Sequence, residues 1–504
     1  MSTALTPTYK DAIDALNTLQ TNAAILEAVR AAGVKLNPNA MLEMTDYLRR
    51  VGLEPSQLND LNVIHITGTK GKGSTSAFTD SILRSARPDW KTGLYTSPHL
   101  VAVRERIRIN GEPLSEEDFT RYFFEVWDLL QKNTKCETTT TPFMPNYFRF
   151  LTLMAFYTFK QLKVNATILE VGIGGRSDST NMVPKPIVTG VTALGYDHTR
   201  LLGDRLSQIA NQKGVPALTV EQPEEGMSEL RDCAVEQRAS QFTVVETLPS
   251  TIQLGMFFRA NAALAVQLVH TFLSITDQSY SPASDPNTRE PLRSLPTSFL
   301  DGLRNAHWPG RCQTVLDPKH EGSKWFLDGA HTKESLACCL EWFVSPAVGL
   351  PDSPASDGHP ARVLIFNCTS GRSGDDFLNA ILQKTEEQLA NHGSPEKKEE
   401  FFSKVIFCSN VTYASGNFKG DLTSMAMSTT DNDNLKTQRE IEAAWNKLVP
   451  TYSGTVHVLP SIEDAVDEAR QTLNVSVLVT GSLHLVGGVI EVAGLADRAL
   501  SLKA

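Results

Sequence analysis

Nowhere does the chain carry a run of about 18 apolar residues, so no segment is suited to cross a bilayer as a helix. Cysteine is sparse: seven residues, at positions 136, 233, 312, 338, 339, 368 and 408, with no CxxC pair. An odd, scattered set in a long chain argues against a disulfide framework and points to reduced thiols inside the cell. Positive charge is in deficit, with 47 Lys and Arg against 57 Asp and Glu and a formal charge of −10. That balance argues against a nucleic-acid scaffold while leaving room for a local positive pocket. Met1 to Ala12 lack the apolar core of a secretory signal and the arginines of a transit peptide. No tandem repeat is visible. These absences predict a cytoplasmic protein with no membrane span and no nucleic-acid partner.

At 504 residues the chain is too long for one core, and its 41% hydrophobic content is ordinary for a globular protein, so two domains are expected. Helical spacing of apolar residues marks 8–31 and 39–50, then 115–131 with Ser115 and Asp118 in the capping-box pattern, and 147–163. Strand-like runs fall at Val63–Ile66, Thr92–Thr96, Thr167–Val171 and Ile187–Leu194. Strands alternating with helices predict a mostly parallel sheet covered on both faces. The proline- and serine-rich stretch 276–295 reads as a surface loop. A second alternating region starts near Lys324, with strand candidates Trp325–Leu327, Val363–Phe366, Val405–Phe407, Val456–Leu459 and Val475–Val479. The polar stretches 346–361, 391–399 and 411–437 read as disordered loops or lids. The domain boundary is expected near 310–322.

The organising stretch is Val63-Ile64-His65-Ile66-Thr67-Gly68-Thr69-Lys70-Gly71-Lys72-Gly73-Ser74-Thr75, followed by a predicted helix over Ser76–Ser85. Strand, glycine loop and helix N-terminus together form an anion cradle, because glycines let amides approach and the helix dipole adds positive potential. Lys72 would bring a mobile cation to the outer phosphates; the Ser74 and Thr75 hydroxyls would serve phosphate or metal-bound water. Gly73 stands where the strict P-loop has Ser or Thr, and a ligand-free glycine turn is the alternative. Ligands in open α/β sheets sit beyond the carboxyl ends of strands, where Ser97, Glu170 and His198 also fall. A carboxylate, a hydroxyl and an imidazole beside a phosphate loop suit Mg²⁺. Singly, Glu170 reads equally well as structural and His198 as a loop histidine. Lys213, on a helix from about Leu206, reads as surface. Arg311 reads as a solvated charge at the interdomain linker, or as a bidentate phosphate ligand. Asp328-Gly329-Ala330-His331-Thr332 and Thr480-Gly481-Ser482-Leu483-His484 read as tight turns after strands.

Taken together, HITGTKGKGSTSAF (65–78), GLYTSPHLVAVRERIRINGEPLS (93–115), NYFRFLTLMAF (146–156), ILEVGIGGRSDSTN (168–181), LGYDHTRLLGD (194–204), WPGRCQTV (308–315), FLDGAHTKES (326–335) and VTGSLHLVGG (479–488) resemble the folylpolyglutamate synthase family of the Mur ligase superfamily, in its eukaryotic form. The resemblance implies an α/β fold of two domains: residues 1–310 as a P-loop ATPase domain with a mostly parallel sheet, and 311–504 as a smaller Rossmann-like glutamate ligase domain. It implies an ATP-dependent ligase adding L-glutamate to the γ-carboxylate of folate through an acyl phosphate. Gly68, Thr69, Lys70, Gly71, Lys72, Gly73, Ser74, Thr75 and Asn261 would bind ATP. Ser97 and Glu170 would hold one Mg²⁺ and His198 a second; the resemblance also admits a monovalent cation. Lys213 would be a carbamylated lysine, and Arg311, Asp328 and His331 would come from the second domain to ATP and the acyl phosphate. Domain closure would assemble the site and exclude water. A monomer is implied, and a mitochondrial form is compatible.

Three departures accompany the resemblance. Lys213 runs directly into Gly214-Val215-Pro216, roughly six residues short of the family pattern. Gly255-Met256-Phe257-Phe258-Arg259-Ala260-Asn261-Ala262 replaces three polar residues by apolar ones, and the 221–254 and 368–372 segments differ as well. The alternative reading is therefore an amide ligase of a specialised pathway with another carboxylic acid or amine, or a catalytically weakened folate- and ATP-binding paralogue.

Overall fold

The computed structural model describes residues 6–20, 37–172, 177–194, 215–248, 256–280, 295–346, 348–351, 361–368, 374–415, 420–421 and 435–500, except the side chains of 256–258. Expectations for His198, Lys213, the helix from Leu206 and the apolar side chains of 256–258 lie outside them. The described residues fall into two compact units. One runs to Pro98 and resumes from Arg104 to His307; the other combines His99–Val103 with the chain from Trp308 onward.

In the first unit the strands are β1 (Val63–Thr67), β2 (Thr92–Tyr95), β3 (Ile107–Ile109), β4 (Glu112–Pro113), β5 (Ala166–Glu170), β6 (Val188–Val191), β7 (Pro216–Thr219) and β8 (Gln241–Val244). Among the described residues they form one sheet in the order β4-β3-β2-β5-β1-β6-β7-β8, parallel from β2 to β8. β1 and β5 are buried at every position, which is why their sequences run apolar instead of alternating. β3 and β4 form an antiparallel hairpin at one edge. Its turn is Asn110-Gly111, both residues at positive φ, and Asn-Gly is the dipeptide such turns favour. The expected strands include neither this hairpin nor β7 and β8, which are short and carry polar residues.

The helix after β1 spans Lys72–Ala86, four residues earlier than expected. Gly71 sits at φ +88° and its carbonyl accepts the Thr75 amide at 2.8 Å, so the first turn closes inside the glycine run. The helix is held from two sides. Buried Asp80 accepts Thr92 Oγ1 at 2.9 Å and Arg84 Nε at 2.8 Å. On the other side Ser81 Oγ donates to Gly302 O at 2.7 Å, and a Cβ on Gly302 would meet Ile82 Cα at 2.4 Å.

Three of the remaining predicted helices appear as Ala40–Arg50, Glu116–Lys132 and Tyr147–Leu162; the helix expected over 8–31 is described as Tyr9–Asn17, and its residues 21–31 lie outside the described residues. Thr8 with Asp11 and Ser115 with Asp118 cap two of them. The start of the 276–295 loop is tied down, Asp277 pairing with Arg87 and Tyr280 Oη bonding His270 Nδ1 at 2.9 Å.

The second unit is built on β9 (Gln313–Leu316), β10 (Lys324–Leu327), β11 (Arg362–Phe366), β12 (Lys404–Cys408), β13 (Thr455–Leu459) and β14 (Ser476–Thr480), in the order β13-β12-β11-β14-β10-β9. Only β9 is antiparallel; it precedes the expected start at Lys324. Period-two alternation sends Trp325, Leu327, Val363, Ile365, Val477 and Val479 into one core and Phe326, Leu364, Phe366 and Leu478 into the other. Leu100, Val101 and Ala102 join the first of these cores.

The 391–399 stretch is not a lid. Its Glu396 accepts both terminal nitrogens of Arg362, a guanidinium buried at the start of β11 that also donates to Gly349 O at 2.7 Å. A carboxylate held this way keeps the segment against the sheet. Likewise 411–437 ends in structure, because the helix Lys436–Leu448 begins within it. Among the described residues no helix is long and apolar enough to cross a membrane.

Candidate active site

The carboxyl ends of β2, β5, β1 and β6 lie side by side, and register decides what meets there. Ile66 pairs with Glu170, Tyr95 with Leu169, and Thr67 with Val191. The glycine loop therefore leaves β1 beside the last residue of β5 and the start of the turn after β6. Glu170 is almost wholly buried, and its Oε2 accepts the Ser97 amide at 3.0 Å.

The loop itself is fixed by β6. The amides of Thr69 and Lys70 both donate to Ala193 O, at 3.1 and 3.0 Å. Gly68 lies at φ +133°, where a Cβ would meet Thr192 Oγ1 at 2.1 Å; Thr192 in turn donates its amide to Thr67 O. A Cβ on Gly71 would meet Asn261 Oδ1 at 2.4 Å, so the helix Met256–Thr276 presses Asn261 against the loop.

With Thr69 and Lys70 engaged by Ala193 O, the amides that helix geometry leaves without intrahelical acceptors belong to Gly71, Lys72, Gly73 and Ser74. Lys72 Nζ folds back onto Gly68 O at 2.9 Å and Thr69 O at 3.5 Å. The hydroxyls of Thr67 and Thr75 are buried with no hydrogen-bond partner in the described structure. Buried orphan hydroxyls, first-turn amides and a lysine over the loop fit a phosphate chain.

A divalent ion also fits. Mg²⁺ uses one or two carboxylates with water and phosphate oxygens, and Glu170 beside Ser97 supplies a hard oxygen donor there. No group of three His, Cys, Asp or Glu disposed to hold a metal occurs among the described residues.

Gly71→Ala tests the loop's dependence on glycine. Positive φ and the Asn261 contact should together lower the melting temperature by about 3–6 °C. In an Asn261→Ala background the penalty should shrink, because the two positions couple. A melt unchanged in the single variant would overturn this.

In the second unit, Asp328, Gly329 and His331 follow β10 and lead to Thr332, which caps the helix Lys333–Phe343. Asp328 Oδ1 accepts the Ala330 amide at 2.8 Å; Oδ2 accepts the Cys312 amide at 2.8 Å and the Cys312 thiol at 3.4 Å. Burial pushes the Asp328 carboxyl above its usual range, opposed first by the Arg311 guanidinium and then by these donors. The folded chain thus holds this proton more tightly than the unfolded one, so the group's contribution to stability falls as pH rises through its folded pKa.

Arg311 is only half-buried, and its Nη1 donates to Gly310 O at 3.2 Å. A Cβ on Gly329 would meet Arg311 Nη1 at 2.5 Å, so that glycine makes room for the guanidinium. His331 Nδ1 bonds Gly329 O at 2.9 Å, which makes Nδ1–H the donor and fixes the ring. Gly481, at φ +104°, lets β14 pass beside Asn367 O at the end of β11. Sequence reasoning missed Thr192, Ala193 and Cys312. The first two carry no local signal, whereas Cys312 adjoins a residue already singled out.

A glycine loop between a buried strand and a helix, beside a strand-end carboxylate, defines a nucleotide-binding α/β protein with a second α/β unit. Solved structures share this fold: Mycobacterium tuberculosis folylpolyglutamate synthase complexed with ADP (TM-score 0.63, 20% identity, covering 94% of this chain and 98% of that one) and Escherichia coli FolC in complex with DHPP and ADP (TM-score 0.64, 22% identity, covering 97% and 99%). No protein-family model matches the chain. A folylpolyglutamate synthase of Saccharomyces cerevisiae (strain FostersO) is 42% identical over 512 aligned positions, covering 96% of this chain and 87% of that protein. The chain belongs to the folylpolyglutamate synthase family.

Proposed function

We propose that the chain joins L-glutamate to the γ-carboxylate of a folate or its polyglutamates at the expense of ATP, in one-carbon metabolism. The supporting observation is the strand-end arrangement of the first sheet, where Lys72 and the first-turn amides stand beside Glu170. A carboxylate is a poor acyl donor because oxide would have to leave. Transfer of the γ-phosphoryl group from ATP to the folate carboxylate gives an acyl phosphate. The amine of glutamate attacks its carbonyl carbon, a proton is lost from nitrogen, and the tetrahedral adduct collapses to amide and inorganic phosphate. No side-chain nucleophile is required, so the protein's task is position and charge.

Gly68 to Thr75 and Asn261 would cradle the nucleotide, with Lys72 on the outer phosphates. Ser97 and Glu170 would hold Mg²⁺, which supplies charge neutralisation. His198, as ligand of a second ion, and Lys213, as a carbamylated lysine, belong to the same proposal on sequence grounds, together with the admitted monovalent cation. Arg311, Asp328 and His331 are assigned to ATP and the acyl phosphate. We take residues 1–310 as the ATP-binding domain and 311–504 as the glutamate ligase domain of a cytosolic monomer. The seven free cysteines suit a reducing compartment.

Incubation with tetrahydrofolate, glutamate, ATP and Mg²⁺ should yield products heavier by whole glutamyl units, with ADP release that requires both co-substrates. Absence of the mass increment together with absence of ADP would overturn the assignment. ADP release with other carboxylic acids or amines, but not with folate, would redirect it to a different acceptor.

A further inference from the structure

Asp328 is buried at the carboxyl end of β10, and two of its hydrogen-bond donors belong to the residue that follows Arg311. Cys312 adopts φ +43°, a left-handed conformation that a non-glycine side chain takes up only at a cost. The outcome of that strain is specific. Two donors of one residue, the amide at 2.8 Å and the thiol at 3.4 Å, converge on the same oxygen, Asp328 Oδ2, across a separation of 16 residues.

The opposite oxygen is taken by the Ala330 amide. Both oxygens are thus oriented, and the plane of the carboxylate is fixed relative to the Arg311 guanidinium beside it. The thiol itself is no nucleophile: burial and the neighbouring Asp328 charge push its pKa well above the ordinary value. A cysteine held protonated at neutral pH is a donor, and here it donates to the site's carboxylate.

We propose that Cys312 is a positioning residue of the ligase reaction, its left-handed backbone aiming the amide and thiol together at Asp328 Oδ2 so that the carboxylate is held in one orientation for its assigned role toward ATP. This rests on the assignment of Asp328 to ATP. The side-chain donor is what distinguishes Cys312 from any residue that merely completes the turn, since every non-proline residue would supply the amide.

The proposal gives a pH signature with a definite sign. Donors to the ionised form lower a carboxyl's pKa. Loss of the thiol should let burial raise the Asp328 pKa further, moving the acid limb of the kcat/KM profile for ATP to higher pH.

The test compares Cys312→Ala, Cys312→Ser and Cys312→Gly with Asp328→Asn in the full-length protein, reading kcat/KM for ATP across pH together with thermal melts. Cys312→Ala should lose roughly three- to tenfold in kcat/KM for ATP at neutral pH, with the acid limb displaced upward. Cys312→Ser keeps a hydroxyl donor and should stay within about twofold of the parent, its limb restored. Cys312→Gly is a second donor-less variant whose backbone suits positive φ, so it reports on the thiol even where alanine impairs folding; it should reproduce the alanine kinetics.

Alanine and glycine variants with parental kinetics, or a serine variant as impaired as both with the limb unmoved, would overturn the role of the thiol. If those variants are silent while Asp328→Asn is strongly impaired, only the Cys312 inference fails. If Asp328→Asn is itself silent, the assignment of Asp328 fails and this inference fails with it.

Discussion

Lys72→Ala is expected to lower kcat for glutamate ligation by about 10²–10³-fold while moving the melting temperature by less than about 1 °C. The reason is local. Lys72 opens the helix Lys72–Ala86, and its ammonium rests on the Gly68 and Thr69 carbonyls; among the described residues it meets no carboxylate. Carbonyl dipoles hold a cation loosely, so the same ammonium can be given to phosphate at little cost. As a phosphoryl group moves from one oxygen to another, negative charge redistributes over its oxygens, and a mobile cation can follow it. The fold asks much less of this side chain, since the loop is fixed by β6 through Ala193 and by Asn261. Steady-state kinetics and a thermal melt on one preparation decide the matter. Parental turnover in the variant would remove the phosphate loop from the mechanism.

Glu170→Gln should have the second-largest effect, a loss of about 10²-fold in kcat at ordinary Mg²⁺ with a requirement for at least about tenfold more Mg²⁺. Glutamine has the same shape and keeps an oxygen that can accept the Ser97 amide, which now bonds Oε2 at 3.0 Å. The charge goes, and the second oxygen becomes an NH2 group. The melting temperature should hold or rise, because a carboxylate buried to this degree loses hydration on folding. Titration of Mg²⁺ at fixed ATP separates the outcomes. An unaltered Mg²⁺ dependence with unaltered turnover would show that the ion is held elsewhere. An equal loss at every Mg²⁺ concentration would assign Glu170 a role other than metal binding.

Much of the first unit could be read from sequence because its signals are local. An apolar run buried on both faces names β1 and β5 without knowledge of their neighbours. Serine or threonine three residues ahead of an acidic partner marks the starts of Tyr9–Asn17 and Glu116–Lys132. The structure departs from the expected elements in two ways. The helix after the glycine loop begins at Lys72 because a positive-φ glycine can cap a helix, and composition alone reads four more residues as loop. The hairpin of β3 and β4 is marked locally by Asn110-Gly111, while β7, β8 and β9 are short strands whose pairing depends on partners far along the chain.

For the site, the residue types were set in advance and their company was not. A glycine-lysine run between a strand and a helix points to an anion-binding loop, because glycines let amides approach closely where the helix N-terminus adds positive potential. Asp328 and Arg311 were likewise visible as strand-end and turn residues. That Glu170 stands beside the loop follows from the Ile66–Glu170 register, and that Cys312 donates twice to Asp328 follows from β9 returning antiparallel along β10. Local chemistry is written in neighbouring residues, whereas register and burial are settled only when distant strands pair. The sequence by itself therefore determined which groups are available to a phosphate site, and the tertiary structure alone decided which of them share a carboxylate.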